Sequence, residues 1–161
     1  TRFYTLVLYF MMEVTMLINS IDIPNNVILD VLNNSKAHEK ELLYVGTLKK
    51  KDDKFILENI AYMDVYGDEN MVIFTPDKQI KFMKYCSLND YVPFILHTHL
   101  NEEDKTFSLP DKSFLEKFSC TYNKLFSKKI VIGALINVQG RKFQLIYIEE
   151  DQEYVSCLMN I

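Results

Sequence analysis

The chain has 161 residues, the length of one domain, and 48% of them are hydrophobic, enough to build a core. Its net charge of −4 offers no cationic footprint for nucleic acid. The basic run Lys49-Lys50-Lys51 is answered at once by Asp52-Asp53, which marks a solvated hairpin tip and not a phosphate or membrane patch. Cys86, Cys120 and Cys157 are scattered and form no CxxC pair, so neither a zinc knuckle nor a disulfide framework is indicated, and a reducing, cytoplasmic setting is expected.

From Phe3 to Ile18 the chain is almost wholly apolar, broken by Glu13. That run is shorter than the ~20 residues of a spanning helix, and it lacks a small-residue cleavage site. Thr5, Val7, Val14 and Thr15 favour extended structure. Residues 1–15 therefore read as an N-terminal extension forming an extra strand or hairpin, with a helix or anchor, or disorder, as the alternatives. The main domain is expected over 16–161.

Pro24 opens a helical pattern in which Val27, Ile28, Val31 and Leu32 recur at three- and four-residue spacing, and Asn33-Asn34-Ser35 is expected to end it. Leu42 to Leu48 reads as a strand, Lys49 to Lys54 as a polar turn, and Phe55 to Met63 as the antiparallel partner. A loop with Gly67 and three acids follows, then a short apolar strand, Met71 to Phe74. Thr75-Pro76-Asp77 starts a second helix: threonine caps, proline fits the first turn, and aspartate suits the positive end of the dipole. Ile80, Phe82, Met83 and Tyr85 lie on it, and Ser87 to Asp90 should break it.

Val92 to His99 is apolar enough to be a central strand. It ends in His97-Thr98-His99, which holds two of the chain's three histidines. Residues two apart in a strand share a face, so both imidazoles can reach one ion. A carboxylate on a returning segment, Asp111, can complete the set. Two nitrogens and one oxygen suit Zn²⁺, and a fourth position left to water is how catalytic zinc sites are built. Ser108-Leu109-Pro110-Asp111 starts a third helix, whose apolar face is Phe114, Leu115, Phe118, Tyr122, Leu125 and Phe126. The acidic triplet Glu102-Glu103-Asp104 reads as a solvated loop, with contact to basic residues of a partner as the alternative. Ile130 to Val138 and Lys142 to Ile148 form a hairpin about Gln139-Gly140, and the tail from Glu149 stays unassigned. The expected class is an α/β sandwich with a mixed, mostly antiparallel sheet flanked by helices.

His97-Thr98-His99 followed by Ser108-Leu109-Pro110-Asp111 resembles the JAMM motif of the MPN (JAB) domain metalloproteases: His-Ser/Thr-His, a short loop, then Ser-x-x-Asp. The order of elements extends the resemblance over roughly residues 16 to 148. It implies an MPN-like fold, Zn²⁺ held by His97, His99 and Asp111, and Ser108 as the oxyanion donor. It also implies a glutamate base upstream, at the start of the first hairpin strand. Glu41 fits without gaps. Glu39 is an alternative that would put Gly46 on a glycine the family often has. A third register places Leu43 where the glutamate belongs, as in non-catalytic MPN subunits.

Three departures bear on the loop and groove. Leu100 stands where the family usually has proline, the loop from Leu100 to Phe107 is one residue longer, and Tyr44 and Leu48 replace glycines in the Glu41 register. The implied activity is zinc-dependent isopeptidase or peptidase cleavage of ubiquitin or ubiquitin-like protein conjugates. The alternative is a catalytically silent scaffold that binds protein partners. A homodimer is compatible with either, and neither a nucleic-acid nor a membrane partner is expected.

Overall fold

The computed structural model describes residues 3–11, 16–67 and 73–161, with side chains from residue 20 onward. In chain order the elements are β1 (Phe3–Met11), β2 (Met16–Pro24), α1 (Asn25–His38), β3 (Leu42–Lys51), β4 (Lys54–Val65), α2 (Pro76–Asn89), β5 (Val92–His99), α3 (Leu109–Phe126), β6 (Ile130–Asn137), β7 (Lys142–Glu149), β8 (Gln152–Val155) and β9 (Met159–Asn160). The sheet runs β1-β2-β4-β3-β5-β6-β7-β8, with β9 also on β7. Neighbours are antiparallel except β2 with β4 and β5 with β6. The fold is thus mixed α/β, and the sheet curls enough to bring β1 near β8.

Strand alternation divides the core in two. Phe94, Leu96, Ile132, Ala134, Phe143 and Leu145 pack with Ile28, Val31 and Leu32 of α1 on one face. Ile95, Val131, Leu135 and Ile146 pack with Met83 of α2 and Leu115, Phe118 and Tyr122 of α3 on the other. All eight residues of β5 are buried, as a strand covered on both sides requires. Gly133 on β6 lets α3 come close, because a Cβ there would lie 2.4 Å from Leu115 Cδ1. Asp111 sits on the first turn of that helix.

At the N-terminus β1 pairs antiparallel with β2, from Phe3↔Pro24 to Met11↔Met16, so an extra strand is present, and residues 12–15 lie outside the described residues. Several expected boundaries move. α1 does not stop at Asn33-Asn34-Ser35 but runs to His38 and closes at Glu39 in the left-handed region, φ 51°. The polar groups that suggested a stop take distant partners instead: Asn34 Nδ2 donates to Tyr44 Oη at 2.9 Å, and Ser35 Oγ lies 3.2 Å from Thr98 Oγ1. α2 likewise continues through Ser87 to Asn89, whose side chain donates to the Tyr85 carbonyl, and Asp90 takes the left-handed cap. The Met71–Phe74 strand lies partly outside the described residues, and Phe74 is a buried core residue just before α2. Leu125, expected on the apolar face of α3, is exposed, as are Ile80 and Tyr85 on α2.

The tail adds β8 and β9 to β7. Buried Ser156 anchors it: its Oγ accepts from Leu145 N–H, and its carbonyl accepts from Gln144 Nε2. No described helix is long and apolar enough to cross a membrane.

Candidate metal centre

On β5 the odd positions face α2 and α3 and the even positions face α1. His97 and His99 therefore point together toward the first turn of α3, while Thr98 points to the opposite face. His97 Nε2 and His99 Nε2 lie 3.2 and 3.3 Å from the same oxygen, Asp111 Oδ2. All three residues are at least nine-tenths buried, and their ligand atoms lie within 4.8 Å of one another.

Asp111 is held by its place in the helix. Ser108 is the N-cap, its Oγ accepting from Asp111 N–H, and Asp111 Oδ2 accepts in return from Ser108 N–H at 2.7 Å. This reciprocal capping box aims the carboxylate back toward β5.

The imidazoles are held as firmly. His99 Nδ1 is 3.0 Å from the Asp104 carbonyl. A carbonyl only accepts, so the neutral ring carries its proton on Nδ1, which leaves Nε2, facing Asp111, as the nitrogen that can take an ion. Buried Asn137 pins that carbonyl, its Nδ2 donating to both Asn101 O and Asp104 O. The Tyr66 ring stacks on His97 at 4.6 Å, and Phe107 meets His97 edge-on at 5.5 Å. His97 Nε2 is buried with no hydrogen-bond partner among the described residues.

Two imidazole nitrogens and a carboxylate oxygen thus converge in a buried position, a set that is favourable when a positive charge, a proton or a metal cation, sits among them. The protonation preferences agree. Burial alone would raise the Asp111 pKa, but His97 and His99, joined by the Tyr66 hydroxyl, hold it well below the usual carboxylate range. Burial likewise pulls His99 down, yet Asp111, the Asp104 carbonyl and Glu41 outweigh it and raise its affinity for a proton. The group has the chemistry to hold a metal ion.

Glu41 joins this group. β3 pairs antiparallel with β5 at Leu43↔His97, and continuing that register by two residues sets Glu41 across from His99. With His99, Asp111, Tyr66 and Ser108 it lines a cavity of about 640 Å³. Burial raises its pKa, and the attraction of His99 and His97 does not cancel that rise. Glu39, the alternative base, is exposed at the left-handed end of α1. Leu43, the third register's residue, is fully buried in the α2/α3 face of the core. Gly46 is accounted for by packing alone, since a Cβ there would lie 2.6 Å from Asn59 O. His38, the third histidine, is exposed as the last residue of α1, its Nδ1 2.8 Å from Asn34 O.

Three contributors escape a reading of the sequence. Tyr66 has no periodic signal, and Asp104 acts through its backbone, which any residue supplies. Thr98 works on the far face, where its Oγ1 accepts from Leu42 N–H at 2.9 Å and meets Ser35, so it ties the entrance of β3 to β5 next to Glu41. Thr98→Val keeps the shape and leaves a buried N–H unsatisfied. It is expected to destabilise the fold by about 1–3 kcal/mol, read as a lowered denaturation midpoint. No family model matches this chain, and no curated protein matches it.

Proposed function

We propose that this protein is a zinc-dependent isopeptidase or peptidase of the JAMM type, with an MPN-like fold, that removes or processes ubiquitin or a ubiquitin-like protein. The observation that supports it is the convergence of His97, His99 and Asp111 on one buried point, beside a cavity that Glu41 and Ser108 also line. Two nitrogens and one oxygen are a zinc donor set that leaves a position for water. Bound Zn²⁺ supplies Lewis acidity, bringing the pKa of a water toward neutrality and polarising the scissile carbonyl.

The chain's own groups do the rest. The Glu41 carboxylate takes a proton from the attacking water and returns it to the leaving amine. Ser108 Oγ accepts from Asp111 N–H, which leaves its own hydroxyl proton able to turn toward a developing oxyanion, a contribution of ~3 kcal/mol. Asp104 O and Asn137 keep His99 in the tautomer that presents Nε2. A ubiquitin-like C-terminal tail would enter extended, as a strand added at a sheet edge.

The test is metal content of protein purified without chelator, read beside cleavage of a ubiquitin C-terminal conjugate with and without a zinc chelator. One zinc per chain with chelator-sensitive cleavage is expected. Zinc without cleavage would leave the ligands standing and point to a different substrate or a missing partner. Absence of zinc would overturn the reading.

A further inference from the structure

Tyr66 directly follows β4, and its backbone N–H bonds to the carbonyl of Glu41. Its side chain then makes two separate contacts with the metal group. The phenol donates to Asp111 Oδ1 at 2.6 Å, and the ring lies on His97 at 20° between planes. One residue therefore touches the candidate base and two of the three candidate ligands.

The bond to Asp111 falls on the oxygen that does not face the imidazoles. Oδ2 faces them, and it also accepts the Ser108 N–H at 2.7 Å. Each carboxylate oxygen thus has a donor of its own. The group cannot rotate about its Cβ–Cγ bond without breaking both hydrogen bonds. A short hydrogen bond to an ionised carboxylate is among the stronger kinds, and Asp111 is buried. The remaining lone pair of Oδ2 is directed at the imidazoles, while Oδ1 is occupied.

We propose that Tyr66 is a positioning residue that makes Asp111 a one-oxygen metal ligand and sets the ring plane of His97. It keeps the coordination number low enough to leave room for water and substrate. The Tyr66 face packs on the His97 ring, whose Nε2 points at Asp111, whereas the His99 ring is oriented through its Nδ1 on the Asp104 carbonyl. This inference rests on the metal-site reading above.

The test compares wild type, Tyr66→Phe and Tyr66→Leu. The phenylalanine keeps the stack and deletes only the hydroxyl, and the leucine removes both. Zinc dissociation constants come from competition with a chromogenic chelator, and the visible absorption of the Co²⁺-loaded proteins reports coordination number. Circular dichroism of the metal-free proteins verifies folding. Tyr66→Phe is expected to weaken zinc by about 10–100-fold. Its cobalt absorption should drop in intensity, as a freed Oδ1 joins the ion and four-coordination gives way to five. Tyr66→Leu should weaken zinc further. A Tyr66→Phe protein with the wild-type dissociation constant, or with an unchanged cobalt spectrum, overturns the proposal and leaves the metal site standing. A wild type that takes up neither Zn²⁺ nor Co²⁺ overturns the metal site and this proposal together.

Discussion

Asp111→Ala is expected to abolish stoichiometric zinc and conjugate cleavage together. The substitution deletes the anionic member of the ligand set and leaves two buried imidazoles facing an empty corner. The effect should exceed the ~10–100-fold loss typical of an outer-sphere partner, because a direct donor is gone. His97→Ala is expected to do the same. The two differ in the metal-free protein: Asp111→Ala also breaks the capping box of α3, at a cost of about 0.5–2 kcal/mol. Asp111→Asn separates these effects, since it keeps the size of the side chain and removes the charge. Metal content by mass spectrometry of the folded proteins decides the matter. Tight zinc in either alanine variant would overturn the ligand assignment.

Glu41→Gln should give the opposite pattern, with zinc retained and turnover reduced by about 10²–10⁴-fold. Glutamine fills the same space beside His99 and Asp111 but has no carboxylate to accept a proton. Glu39→Gln is the control, because Glu39 is exposed at the end of α1 and faces no part of the cavity lining. The kcat of each variant, measured with zinc saturating, checks the assignment. Normal turnover in Glu41→Gln with loss in Glu39→Gln would move the base by two residues.

Much of the arrangement is legible in the chain itself. The same-face placement of His97 and His99 follows from strand alternation, and the strand follows from an unbroken apolar run. Ser108 and Asp111, three apart before an apolar helix, announce a capped N-terminus, and the cap is what aims the carboxylate. These are local effects, set by neighbours within a turn or a pleat. Zinc as the ion and ubiquitin-like proteins as substrate rest on the motif resemblance and on the donor chemistry.

Other features depend on partners far away in sequence. Asn33, Asn34 and Ser35 look like a helix stop because their side chains compete for the backbone in an isolated peptide. In the fold Asn34 finds Tyr44 and Ser35 finds Thr98, and α1 runs on. The choice between Glu41 and Glu39 is open at the level of spacing. The antiparallel register of β3 on β5 separates them, by setting Glu41 opposite His99 and leaving Glu39 on the helix cap. Tyr66 and Asn137 carry no signal at all, because each acts across a gap of more than thirty residues on Asp111 and on the Asp104 carbonyl. The sequence by itself determined the donor residues, the strand and the capped helix that present them, since periodicity and capping act over a few residues. Only the tertiary structure decided which glutamate joins them and which side chains hold them still, because strand register and long-range hydrogen bonds are set by the packing of the whole sheet.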